Sequence, residues 1–116
     1  MFDLFKSKEY KMARIEKFCE WFYDNKNLIS SSVENAENDD ETRIRYLYEV
    51  QNQLALIYRD GYKGSIEFGY GFNEEQNKWE LDLFHLGNKF LIRILPLIKT
   101  RLELKISDTW IVNIDK

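Results

Sequence analysis

Residues 64–85 read GSIEFGYGFNEEQNKWELDLFH, and two runs within them alternate in character. Ile66, Phe68, Tyr70 and Phe72 interleave with Ser65, Glu67, Gly69 and Gly71, and Trp79, Leu81, Leu83 and His85 interleave with Glu80 and Asp82. A period of two places each apolar set on one face of a strand. The polar stretch from Asn73 to Lys78 reads as the turn between them. The segment therefore predicts an antiparallel hairpin in which Phe72 faces Trp79, Tyr70 faces Leu81 and Phe68 faces Leu83.

Beyond the hairpin, Gly87 to Thr100 admits two readings. Phe90, Leu91, Ile94, Leu95 and Ile98 fit a helix capped by Asn88, whereas Leu86-Gly87-Asn88-Lys89 also suits a tight turn into a strand KFLIRIL. The helix is favoured, with a kink or an early end at Pro96. Leu102, Leu104 and Ile106 then alternate, Ser107-Asp108-Thr109 make a turn, and Trp110, Val112 and Ile114 alternate again, which predicts a second hairpin.

On the N-terminal side the period is 3.6. Met12, Ile15, Phe18, Cys19 and Phe22 form one stripe of a helix expected from Ser7, its cap, to Asn25, where Asp24, Asn25 and Asn27 disfavour continuation. The polar residues between Leu28 and Glu41 read as a loop. A second helix is expected from Glu41 to Arg59, capped by Asp39 or Asp40, with Ile44, Leu47, Tyr48, Gln51, Leu54, Ala55 and Tyr58 on its inner face and Asp60-Gly61 as its stop. The expected fold class is α+β in ααββαββ order, one domain over residues 1–116. Its sheet would be antiparallel, of about four strands, with the helices packed mainly on one face.

The composition narrows the function classes. One cysteine, Cys19, excludes an internal disulfide, and together with one histidine it supplies no zinc-ligand spacing. Seventeen basic and twenty acidic residues give a net charge of −3, which offers no bulk attraction to nucleic acid or anionic lipid. The nearest basic group, Arg93, Lys99, Arg101 and Lys105, is interrupted by Glu103. No apolar run approaches the length of a membrane span, so the expected compartment is the cytoplasm, with neither nucleic acid nor membrane as partner.

Trp21, Phe22 and Asn25 make a WF-x-x-N motif in the first helix. With Gly87 at a hairpin end and Trp110 opening a terminal strand, the chain resembles a group of small uncharacterised bacterial α+β proteins carrying that motif. The resemblance implies the α+β fold and a bacterial source, and it implies no reaction, substrate or catalytic residue. After Pro96 the segment LIKTRLELKIS departs from the group in being longer and more strand-like.

No assembled catalytic set is visible. His85 is expected beside the core with Trp79, Leu81 and Leu83, and Cys19 on the buried stripe of its helix. Gly69 and Gly71 lie within a strand and precede no helix, so they make no phosphate loop. Glu67, Glu80 and Asp82 share the outer face of the first hairpin, as a solvated surface, an acidic docking face or a carboxylate site for a hard cation. Trp21, Tyr23, Tyr46, Tyr62 and Phe84 are the aromatic side chains expected either to line the seam between helix and sheet or, partly exposed, to anchor a partner.

The function expected is a non-enzymatic protein-interaction module that docks through aromatic anchors and acidic complementarity, with an immunity or inhibitor-like protein facing a basic partner as its concrete form. No cofactor or metal is implied by that reading. The alternative is a small metal-dependent enzyme or ligand-binding domain using Glu67, Glu80 and Asp82, with Glu103 as a further ligand. Self-association through an uncovered strand edge is a third course.

Overall fold

The computed structural model describes residues 2–58 and 66–115, with side chains over 12–57 and 66–115. The elements follow one another as α1 (Phe2–Glu34), α2 (Asp40–Ala55), a single 3-10 turn (Leu56–Tyr58), β1 (Glu67–Asn73), β2 (Lys78–Phe84), α3 (Lys89–Ile106) and β3 (Trp110–Ile114). The described strands form one sheet in the order β1-β2-β3, antiparallel between β1 and β2 and parallel between β2 and β3. The class is α+β as expected, but the sheet is three-stranded and mixed rather than four-stranded and antiparallel.

The hairpin register follows from its alternation: Phe68 faces Leu83, Tyr70 faces Leu81 and Phe72 faces Trp79. In the turn, the Asn73 side-chain oxygen accepts from the Gln76 backbone N–H at 3.0 Å, and Asn77 takes a positive φ of 53°. Leu81 and Leu83 are fully buried, as are Trp110 and Val112 at the matching positions of β3. None of the described residues on the opposite face of the sheet is buried. The helical layer therefore covers one face only.

The second hairpin is not formed, because residues 102–106 continue α3. Leu102 and Ile106 lie on the buried stripe of Leu91, Ile94, Leu95 and Ile98, while Leu104, which alternation places with them, is 82% exposed. Over so short a run both periods match the sequence, and burial against α1 and β3 selects the helical one. Pro96 neither kinks the chain to a stop nor ends the helix. It sits on the exposed side and forfeits a backbone bond at a cost of about 3 kcal/mol, while burying Ile98, Leu102 and Ile106 beyond it stabilises by about 1.5–3 kcal/mol each. Asn88 caps the helix as expected, its side-chain oxygen accepting from the N–H groups of Phe90 at 2.9 Å and Leu91 at 3.1 Å.

Helix α1 is longer than the sequence suggested, and Ser7 lies inside it rather than at its cap. The expected break at Asp24–Asn27 is absent because the polar side chains bond back onto their own helix. Asn25 Nδ2 donates to the Trp21 carbonyl, Ser30 Oγ to that of Asn27, and Ser32 Oγ to that of Ile29. The buried Ile29 and Ser32 hold the extension against the core side, so the connection to α2 shrinks to residues 35–39. Asp39 caps α2, accepting from the Thr42 backbone N–H at 3.1 Å and its hydroxyl at 2.6 Å.

Helix α2 buries only part of the expected face, Leu54 with Leu47 and Ala55 half-buried, and adds Tyr46 and Val50 from outside it. Tyr46, Val50 and Leu54 are buried and Ile57 follows them in the 3-10 turn, whereas Ile44 and Tyr48 are 40% and 63% exposed and Gln51 is exposed. Both stripes have helical spacing, and α1 packs on the one that carries Val50. The expected stop at Asp60-Gly61 lies outside the described residues.

The two edges of the sheet differ. The N–H of Trp79 bonds the Thr109 carbonyl and that of Asp115 bonds the Leu83 carbonyl, which turns the backbone groups of Val112 away from β2. On that outer side α3 supplies both partners: Lys99 Nζ donates to the Val112 carbonyl at 2.5 Å and Glu103 Oε2 accepts from the Val112 N–H at 3.2 Å, with 3.1 Å between the two charged groups. This ion pair closes the middle of the β3 edge. Replacing the pair by Lys99→Met and Glu103→Leu is expected to cost about 1–2 kcal/mol, read in denaturant titration, and to speed hydrogen exchange at the Val112 amide.

Candidate functional site

An unbroken run of aromatic contacts leads from the core to the surface. Phe22 of α1 meets Trp110 of β3 edge-on, with ring centroids 5.1 Å apart at 86°. Trp110 lies 5.6 Å from Trp79 of β2, and Trp79 meets Phe72 of β1 at 5.5 Å and 70°. Trp110 is 1% exposed and Phe72 is 48% exposed. The run ends in an open groove of about 420 Å³ lined by Val33, Glu34, Phe72 and Trp79, between the end of α1 and the tip of the hairpin.

One acidic residue lines that groove, and three more lie close to its lining residues in sequence. Glu34 lines it, Glu37 follows in the α1–α2 connection, and Glu74 and Glu75 follow Phe72 in the hairpin turn, all exposed. The arrangement offers an aromatic floor with the Glu34 carboxylate beside it, which suits an apolar anchor next to a basic side chain. A second, smaller cavity of about 190 Å³ lies between α1 and α2, with Ser31, Asn35, Asp39 and Arg45 at its mouth.

The structure separates the residues singled out from sequence. Tyr23 is 48% exposed, with the ammonium groups of Lys26 and Lys105 5.8 and 5.9 Å from its ring centre. Trp21 is half-buried against Phe18 and Phe22. Tyr46, expected to be partly exposed, is buried at 8% because it belongs to the inner stripe of α2, with the Arg45 guanidinium 5.3 Å from its ring. Tyr62 lies outside the described residues. Phe72 and Trp79 were read from sequence as hairpin core; their role as a groove floor depends on where α1 ends, which local periodicity does not carry.

The carboxylates of the hairpin do not converge. Glu80 accepts from Asn73 Nδ2 at 2.5 Å and Asp82 from Asn113 Nδ2 at 2.9 Å, while Glu67 stands exposed at the far end of β1. Among the described residues no group of three or more His, Cys, Asp or Glu side chains is placed to share a cation. Glu103 is engaged at the opposite edge of the sheet. Two of the basic side chains of α3 are likewise held within the fold, Lys99 by Glu103 and Val112, and Arg101 by Glu16 of α1. None of the described helices is long and apolar enough to cross a membrane.

His85 closes a turn rather than lining the core. Strand β2 ends at Phe84, and the His85 carbonyl accepts from the Asn88 N–H at 2.8 Å across Leu86 and Gly87, both at positive φ. Its Nδ1 accepts from the Gly87 N–H at 2.9 Å, and its Nε2 faces Asp115 Oδ2 at 3.5 Å. Cys19 is fully buried, and burial is the main cause that pushes its thiol up to about 12 from an ordinary 9.0, aided by the Glu16 carboxylate. A thiol in that state is inert.

Tyr70 carries a hydroxyl that is buried without a hydrogen-bond partner, and burial pushes its pKa up to about 12 despite the opposing charge of Arg43. No family model, curated protein sequence or solved structure matches the chain.

Both raised acids favour the folded state while they stay protonated. Stability is therefore expected to be full below pH 9, where the unfolded thiol begins to ionise, and to fall as pH rises toward about 12. Tyr70→Phe removes the orphaned hydroxyl and is expected to leave stability at pH 7 unchanged or raised by up to about 1 kcal/mol, while the fall above pH 10 becomes shallower. A loss of stability at pH 7 would show instead that the hydroxyl has a partner.

Proposed function

We propose that this protein is a non-enzymatic protein-binding module whose partner presents a basic surface with an apolar anchor. The observation that carries the reading is the groove of Val33, Glu34, Phe72 and Trp79. It has an aromatic floor, supported through Trp79 and Trp110 by the core, and an acidic rim in Glu34 at the end of α1. Aromatic side chains already fixed by packing lose little conformational freedom on binding, so such a floor is suited to an anchor residue. The rim adds orientation and a salt-dependent rate of encounter. A small acidic antagonist of a basic toxin, of the immunity-protein kind, is the concrete form this takes.

The competing carboxylate chemistry draws less support, since Glu80 and Asp82 are each bonded to an asparagine and no three such side chains among the described residues are placed to share a cation.

The test is recovery of partners on tagged protein in its native host at low and moderate salt. A stoichiometric basic partner that is released as salt rises is expected. Phe72→Ala, which trims a ring already 48% exposed, should weaken that complex about tenfold or more with little change in melting temperature. Recovery indifferent to both salt and Phe72 would overturn the groove as the docking site.

A further inference from the structure

The outer edge of β1 contrasts with that of β3. Because Trp79, Leu81 and Leu83 turn their backbone groups toward β3, the bonded pairs between β1 and β2 are Glu67–Phe84, Gly69–Asp82, Gly71–Glu80 and Asn73–Lys78. The N–H and C=O groups of Phe68, Tyr70 and Phe72 consequently point away from the sheet, and no described residue bonds them. Among the described residues no charged side chain bonds the backbone of this edge as Lys99 and Glu103 bond that of the other.

The edge has a further property. Residues 68–72 read FGYGF, the same in both directions about Tyr70. An antiparallel pair of identical strands related by a two-fold axis at Tyr70 sets Phe68 opposite Phe72, Gly69 opposite Gly71 and Tyr70 opposite its own copy. Those registers make Phe68, Tyr70 and Phe72 the hydrogen-bonded pairs, which are the residues whose backbone groups are turned outward, so about six bonds can form. At the ends Glu67 meets Asn73, a carboxylate facing an amide rather than a like charge.

The side chains agree on both faces. Phe68 and Tyr70 are only half-buried and Phe72 is exposed, because the helical layer packs on β2 and β3, so a second strand extends their aromatic row. On the outer face a Cβ added at Gly69 or Gly71 would meet nothing within 4 Å, and neither glycine has a positive φ. The glycines are therefore not required by the single chain. Between two chains they leave that face bare, where paired backbones approach to about 4.5 Å.

We infer that β1 pairs with β1 of a second copy of this chain about Tyr70, joining two three-stranded sheets into one. The pairing is carried by the backbone of β1 and does not rest on the groove reading, although Phe72 takes part in both, and it presents two grooves per assembly. A contact of this length belongs to the small-interface class, so half-association is expected on the order of 10–100 µM.

Sedimentation equilibrium over a concentration series, with hydrogen exchange at each concentration, tests this. The expected result is a mass that rises from one chain to two, with the amides of Phe68, Tyr70 and Phe72 gaining protection in step, while those of Gly69 and Gly71 are protected throughout. Gly69→Lys combined with Gly71→Lys should remain a single chain at every concentration with a melting temperature no lower than the wild type, since like charges then face each other across the two-fold. A wild-type chain that stays single at about 1 mM, well above the half-association range, would overturn the inference. So would a dimer that persists in the double lysine variant. Protection at Phe68, Tyr70 and Phe72 that appears only when a basic protein partner is added would also overturn it, and would leave the groove reading standing.

Discussion

The parallel pairing of β2 with β3 is the constraint on which the remaining architecture depends. Two parallel neighbours cannot be joined by a short turn, and the chain must travel the length of the sheet between them. Helix α3 makes that journey, and this is why residues 102–106 are helical although their alternation suits a strand. Its buried stripe and the inner faces of β2 and β3 enclose the core that α1 completes. Trp110 stands at the meeting point, with Trp79 beside it in the sheet and Phe22 edge-on from α1.

That same contact ties the core to the surface. Since Trp79 is fixed by Trp110, and Phe72 by Trp79, the floor of the surface groove is held by groups that cannot relax without disturbing the core. The charge at the groove comes from elsewhere: Glu34, the last residue of α1, lines it. Apolar contact and charge are thus supplied by different parts of the chain, the hairpin and α1. That division suits a surface that selects a partner by shape and attracts it by charge.

The titratable and polar groups support the same view of the molecule. Cys19 is sealed in the core with its thiol protonated, His85 has its Nδ1 occupied by the Gly87 N–H, and the outer carboxylates of the hairpin are bonded to asparagines. Of the candidates for chemistry read from the sequence, Cys19, His85, Glu80, Asp82 and Glu103 are engaged in holding a turn, a strand or the core, and Glu67 stands exposed. The sheet edges show the opposite pattern. On β3, Lys99 and Glu103 satisfy the backbone of Val112, while the backbone of β1 at Phe68, Tyr70 and Phe72 is met by no described residue.

The sequence by itself determined the features that depend on neighbours along the chain. The β1–β2 register follows from strict alternation over Ile66–Phe72 and Trp79–Leu83, the caps at Asp39 and Asn88 from short polar side chains before apolar runs, and the stripe of α1 from Ile15 to Phe22. Tertiary structure decided wherever two local patterns were equally good. Leu102, Leu104 and Ile106 satisfy a period of two, and Leu102 and Ile106 also a helical one; only burial against α1 and β3 distinguishes them. Helix α2 carries two stripes of helical spacing, and α1 selects the one with Tyr46 and Val50. The extension of α1 past Asn25 rests on Ile29 and Ser32 finding a core to face, and the groove exists because that extension reaches the hairpin tip. Local periodicity reports which side chains share a face, whereas the face that is buried is set by free energy gained between segments distant in sequence.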